Sequence, residues 1–219
     1  MSTAKPAVIR TALSPNRVEA LTDGVFAIVM TLLVLGLSVP LIAGSSVHTE
    51  LPQRLLGMWP KFLSYCVTFL MLGFMWSMHH YQFMLIKRSD SVLAWINIVF
   101  LMFVSLLPFS MSMLGEYMEA QIPVLIYGGN LIACMVVRYV LWSYATGNYR
   151  LVDRDIDPRE VKRPKVFLPV GAVGFMIGMG ISFLNTVASI CVFAGLLIFL
   201  SYAAPFIIVC ALLIRRQSR

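Results

Sequence analysis

From Val166 to Ile214 the chain carries no Asp, Glu, Lys or Arg. One bilayer crossing uses about 20 residues, so this single stretch holds two crossings. Other runs have the same character. Gly24–Gly44, Phe62–Ile86 and Ser91–Gly115 contain no charged residue, and Ile122–Tyr144 contains only Arg138. In hydrocarbon a lone segment must satisfy its own backbone hydrogen bonds, which leaves the α-helix. The expected fold is an all-α integral membrane protein with six transmembrane helices in one domain, residues 1–219. The spans fall at about 23–42, 62–86, 91–115, 122–144, 166–184 and 190–214. Composition agrees: 59% of residues are hydrophobic and 12% charged, roughly half the charge of a soluble domain.

The connections give the topology. Residues 1–16 form a polar arm without the short apolar core and small-residue site of a cleavable signal. Leu51–Trp59 reads as a short interfacial piece. Asn185, Thr186 and Ser189 supply the turn between spans 5 and 6. Residues 147–165 are the most charged part of the chain and read as a solvated cytoplasmic loop. With six spans, the arm, the 2–3 loop, the 4–5 loop and the tail share one side and hold 14 Lys and Arg residues. The other side holds Arg54 and Lys61 alone. That bias places both termini in the cytoplasm. The net charge of +7 is then a topology signal, and no nucleic-acid module accompanies it. Cys66, Cys134, Cys191 and Cys210 lie in apolar segments at unrelated spacings and read as small buried hydrophobes, not a metal or redox set.

Span 1 carries the most information. Its head holds Arg17, Thr22 and Asp23, where ionisable groups are expensive unless they pair or face water. Either they form a functional network or they cap and snorkel at the interface. Thr22 or Asp23 is a candidate cap, as are Ser14 and Asn16 if the helix begins outside the membrane. Further along, Ile28, Thr31 or Leu32, and Leu35 share one helical stripe. Around an axis Ile28 would form an apolar ring with Thr31 hydroxyls a turn away, a geometry that blocks hydrated ions. The same stripe also fits plain helix packing.

Span 2 holds Trp76, His79 and His80, and span 3 holds Asn97. Adjacent histidines point about 100° apart on a helix, so they do not share one metal ion, and no cysteine or carboxylate completes a site. Buried hydrogen bonding fits better. If spans 1 to 3 pack together, Thr22, Asp23, Trp76, His79 and Asn97 meet near the cytoplasmic side. GxSxG, P-loop, GxGxxG and HExxH signatures are absent, as is the TVGYG potassium filter. No enzyme activity and no cofactor are expected.

Arg17-x-x-x-Leu21-Thr22-Asp23 resembles the R-x-x-x-F-S-D signature of the endo-lysosomal potassium channel family, the transmembrane protein 175 type, in its short bacterial form. The likeness continues through Gly24–Leu35, Trp76-x-x-His79-x-x-x-Phe83, Asn97 and Leu107-Pro108-Phe109. It covers the first half of the chain by motif and the second half by span count. Leu21 stands where the family has Phe, and Thr22 where it has Ser; Thr keeps the hydroxyl. The resemblance implies a homotetramer in the cell (inner) membrane with span 1 around a central pore. It implies leak-like conduction of potassium ions past an apolar constriction at Ile28, with Thr31 and Leu35 beside it. Arg17, Thr22, Asp23, Trp76, His79 and Asn97 are implied as the network holding span 1. The rival readings are a proton-conducting or proton-coupled transporter, using Glu19, Asp23 and His79, and a non-transport scaffold. The sequence leaves the role of His80 open.

Overall fold

The structure, a computed structural model, describes residues 14–42, 44 and 47–199. Helix α1 (Pro15–Leu32) tightens into a 3-10 turn, Leu33–Gly36. Helix α2 is Val47–Gly57, α3 Trp59–Leu85, α4 Ser91–Ser105, α5 Leu107–Glu116, α6 Gln121–Thr146 and α7 Pro158–Ile181. A last described helix, α8, is Thr186–Phe199. Five stretches are long and apolar enough to cross a membrane, with α4 and α5 forming one of them. The sixth expected span continues past Phe199, outside the described residues, as do the arm before Ser14 and Cys210.

Several helix ends differ from the sequence expectation, each for a local reason. Span 1 begins at Pro15, with Ser14 as the residue ahead of the helix, so Thr22 and Asp23 are interior residues and not caps. Its helical part stops at Gly36, before Pro40. A Cβ at Gly36 would stand 2.6 Å from Ser112 Oγ, so only glycine lets the chain pass α5 this closely. Span 3 is broken at Leu106 because Pro108 removes an amide donor and crowds the preceding turn; α5 restarts with that proline in its first turn. Span 5 begins at Pro158 and not at 166. Asp157 accepts the Arg159 amide at 2.8 Å, and proline occupies the first turn, a strong start signal.

The expected solvated loop, 147–165, is therefore half helix, and its remainder is pinned. Lys87 N and Arg88 N both donate to Leu151 O, at 2.9 and 3.1 Å. Ile86 and Val152 form an isolated antiparallel bridge. Leu151 and Val152 are buried with Phe83, Ile86, Leu93 and Trp142. Two cysteines also depart from expectation: among the described residues Cys66 and Cys191 are exposed, and Cys134 is buried.

The spans pack around α6, which touches α4, α5 and α7. Half of its most apolar stretch is buried, against 28% in α1, so α6 is central and α1 peripheral. The main core joins Phe26 of α1 and Leu33 of the 3-10 turn to Met71, Phe100, Leu107 and Tyr127. Tyr127 and Thr68 hydroxyls bond at 2.9 Å within it. Lipid tails are as apolar as these side chains, so close packing and internal hydrogen bonds hold helices together. Gly178 shows the consequence: a Cβ there would meet the Phe193 ring at 2.6 Å, while Gly180, two residues on, has open space. Gly174 is as tight as Gly178, so close packing belongs to that stripe and Gly180 is outside it. Gly178→Ala is expected to destabilise by about 1–3 kcal/mol through overpacking. Gly180→Ala is expected to be neutral or stabilising by up to ~1 kcal/mol. Thermal unfolding of the two variants in one detergent checks the opposite signs.

Candidate functional site

The site is built on the two faces of α1. Val18, Thr22, Phe26, Val29 and Leu33 are buried, at spacings of four, four, three and four residues. This is one stripe of a helix. The opposite stripe is exposed among the described residues. Leu21 is 50% exposed, Ile28 60% and Leu35 73%. Gly24 has open space above it, and Thr31 is exposed. Thr31 Oγ1 donates to Ile28 O at 2.7 Å. Its proton is thus satisfied internally, and the oxygen lone pairs remain available on the outward face.

The buried stripe is locked by a chain of hydrogen bonds across three helices. Thr22 Oγ1 donates to Val18 O at 3.0 Å. Its proton being used, the oxygen accepts from Asn97 Nδ2 of α4, at 2.9 Å. The Asn97 carbonyl Oδ1 lies 2.8 Å from His79 Nε2 of α3. A carbonyl only accepts, so Nε2 is the protonated nitrogen and donates. The chain thus runs one way: His79 to Asn97 to Thr22 to the Val18 carbonyl. All three side chains are buried. His79 is held flat between Phe83, at 4.4 Å between ring centres, and Phe100, at 5.6 Å.

A second, more exposed layer joins α1 to α3. Trp76 Nε1 donates to Asp23 Oδ1 at 2.8 Å. His80 Nδ1 lies 2.6 Å from Glu19 Oε1, and its ring stacks on Trp76 at 5.9 Å. Glu19 and Asp23 are one turn apart on α1, and His80 and Trp76 one turn apart on α3. The pairs 19–80 and 23–76 place the two helices antiparallel.

Five of the six residues expected to form a network thus come together: Thr22, Asp23, Trp76, His79 and Asn97. Arg17 stays apart. It is exposed, and its side chain bonds no group among the described residues. It lies one turn before Leu21, on the outward face, so it is not part of the lock within one chain. The Glu19–His80 pair was not read as a pair from sequence, though the signal was present. Two acids four apart on one helix face two ring nitrogens four apart on the next. Among the described residues no group of three or more His, Cys, Asp or Glu is placed to hold a metal ion.

Removing the centre of the lock is expected to cost most. Asn97→Leu leaves the His79 N–H without an acceptor in the core, about 1–3 kcal/mol. Trp76→Phe loses a half-exposed bond, about 0.5–1.5 kcal/mol. Thr22→Val combined with Asn97→Leu should cost less than the sum of the single changes, because both break the same bond. Denaturant unfolding, in micelles, of the unaltered protein, Thr22→Val, Asn97→Leu, the double variant and Trp76→Phe checks the order and the non-additivity.

The family model described as "Endosomal/lysosomal potassium channel TMEM175" matches residues 17–108, the segment from Arg17 through α1, α3 and α4 that contains the whole lock. A potassium channel of Streptomyces collinus is 32% identical over 174 residues, 78% of this chain and 83% of that protein. The crystal structure of a lysosomal potassium-selective channel TMEM175 homolog from Chamaesiphon minutus superposes with a TM-score of 0.76 at 30% identity. It covers 86% of this chain and 97% of that one. The endosomal/lysosomal proton channel TMEM175 of Gallus gallus is 34% identical over 112 residues, 49% of this chain but only 22% of that protein. With the Streptomyces collinus and Chamaesiphon minutus relatives matched over most of their own length, and the family segment coinciding with the anchored helix, this chain belongs to the TMEM175 channel family.

Proposed function

We propose that this protein is a potassium-permeable channel in which four copies of α1 surround a central pore. One observation carries the reading. Helix α1 is locked to its own chain by one stripe, while the opposite stripe, Leu21, Gly24, Ile28, Thr31 and Leu35, is exposed and uncharged. A helix fixed on one side and unpartnered on the other is what a symmetric assembly requires, because each copy offers the same face to the axis. The potassium-selective homolog of the same fold supports the choice of ion.

In this assembly Ile28 forms the apolar constriction. An ion passes only by giving up part of its water, and potassium gives up water more readily than sodium. Selectivity therefore exists without a carbonyl filter and is modest. Thr31 oxygens, with their proton held by Ile28 O, present lone pairs to a partly dehydrated cation one turn away. Leu35 narrows the far end. Arg17 lies on the same outward face and reaches the neighbouring copy. Both termini are cytoplasmic, and the protein sits in the cell membrane as one transmembrane domain.

A second reading rests on the layer at the head of α1. Glu19, His80 and Asp23 are titratable groups connected through Trp76, and the Gallus gallus relative is named a proton channel. In that reading protons share the pathway with, or replace, potassium.

Ile28→Asn is expected to raise potassium flux into liposomes several-fold and to bring the potassium-to-sodium permeability ratio towards one. Unchanged flux and unchanged ratio remove Ile28 from the pore. Proton flux without potassium flux in the unaltered protein replaces the first reading with the second. The mass of the intact complex in detergent checks the four-fold assembly.

A further inference from the structure

Away from α1, a cavity of about 70 Å³ lies between α3, α6 and α7. Two side-chain contacts frame it. The Phe74 and Phe167 rings meet at 6.2 Å between centres, and the Tyr81 hydroxyl donates to Glu160. These contacts lie two turns apart on each helix and in opposite order, so they prop antiparallel α3 and α7 apart at two points. Between the props the side chains do not meet. Met78 stands there on α3. On α7, Arg163 is turned aside to Glu160, at 3.1 Å, and Pro164 offers only a short ring. Met75, Met135 and Leu168 close the remaining sides. A void held open in this way forfeits dispersion contacts across it, which an occupant of the right size restores.

The surface of this space is almost wholly carbon and sulfur. Gln82 and Arg138 also border it, but Arg138 Nη2 is spent on Gln82 Oε1, at 3.0 Å, and Arg138 Nε and Gln82 Nε2 are shut off from it. Water holds a cavity only through polar partners, and an ion needs ligands, so neither suits these walls. Size then decides among apolar occupants. An apolar cavity of about 150 Å³ takes up benzene or xenon and stays dry. One of about half that volume suits xenon or cyclopropane and not a six-membered ring. The thioethers of Met75, Met78 and Met135 are polarisable and adapt to an irregular guest. Phe74, Met78, Pro164 and Phe167 are partly exposed, so the space is reached from the bundle surface, and small apolar solutes concentrate in the surrounding hydrocarbon. We propose that the cavity between α3, α6 and α7 binds one small uncharged apolar molecule, of the noble-gas, short-hydrocarbon or halocarbon class. This site is separate from the outward face of α1 and does not depend on the channel reading.

The test is X-ray diffraction from crystals of the whole protein pressurised with xenon, whose anomalous signal locates the gas. One xenon per chain is expected among Met75, Met78, Met135 and Phe167. Cyclopropane under pressure should displace it, and soaked benzene should not enter. Met78→Trp fills the space from α3 and should abolish the xenon peak. Met135→Phe narrows it from α6 and should weaken the peak even if Met78→Trp fails to fold. Absence of xenon from this space in the unaltered protein overturns the proposal, as does an undiminished peak in folded Met78→Trp. Density for a detergent or lipid chain that xenon does not displace also overturns it and gives the space to an acyl chain. Benzene in the cavity overturns the size assignment.

Discussion

A single amide, Asn97, holds the bundle's peripheral helix in its orientation. It accepts from His79 and donates to Thr22, so α1, α3 and α4 are tied at one point. In water such bonds exchange with solvent and contribute little net energy. In lipid the alternative is an unsatisfied polar group, so the bond is made whenever geometry permits. The consequence is rotational. Once Thr22 faces inward, the helical period places Phe26, Val29 and Leu33 inward as well, and Ile28 and Leu35 outward. A turn of α1 by one residue, about 100°, would bury a different stripe and strand Thr22. The outward face of α1 is thus decided by contacts made on its inward face.

The layers of this joint differ in character. The His79–Asn97–Thr22 chain is buried and fully paired, which makes it costly to break. The Glu19–His80 and Asp23–Trp76 bonds are partly exposed and worth less each, since exposed pairs exchange with water and are screened. They nevertheless set the antiparallel register, because two pairs one turn apart permit only one alignment. Elsewhere the bundle relies on close approach. Glycines at 128, 174 and 178 bring α6, α7 and α8 within contact of Met179, Leu196 and Phe193. A charged residue in such a bundle is conspicuous. Arg138 is the one cation buried in the described spans, and its environment is built of an amide and an aromatic ring and not of an acid.

Much of this was legible before any coordinates. Thr22, Asp23, Trp76, His79 and Asn97 stood out because each is polar within or beside an apolar run, and a polar group there must find a partner. Arg17 stands apart from that network, bonding no group among the described residues, since a long basic side chain can also reach water or another copy. Helix ends were read less well. Hydropathy marks where charge stops, not where hydrogen bonding stops, so α1 and α7 both begin about eight residues before their apolar runs. Gly36, at the end of the 3-10 turn and ahead of Pro40, has to be glycine because Ser112 stands against it, a contact remote in sequence. Leu151 and Val152, inside a charged segment, are buried by pairing with Ile86 and Lys87, which no local pattern announces.

What the chain alone determined is what the bilayer enforces on any sequence. Charge-free runs of sufficient length must be helices that cross, and their polar residues must be paired. Lipid offers no other way to satisfy a backbone or side-chain dipole, so composition and order suffice to read this. The tertiary structure decided which polar residue meets which. Those choices depend on helix rotation and register, which arise from contacts between segments far apart in sequence. Whether Glu19 meets His80, whether Arg138 meets an acid or an amide, and which stripe of α1 is left uncovered are properties of the packed bundle, fixed only when α1, α3, α4 and α6 lie against one another.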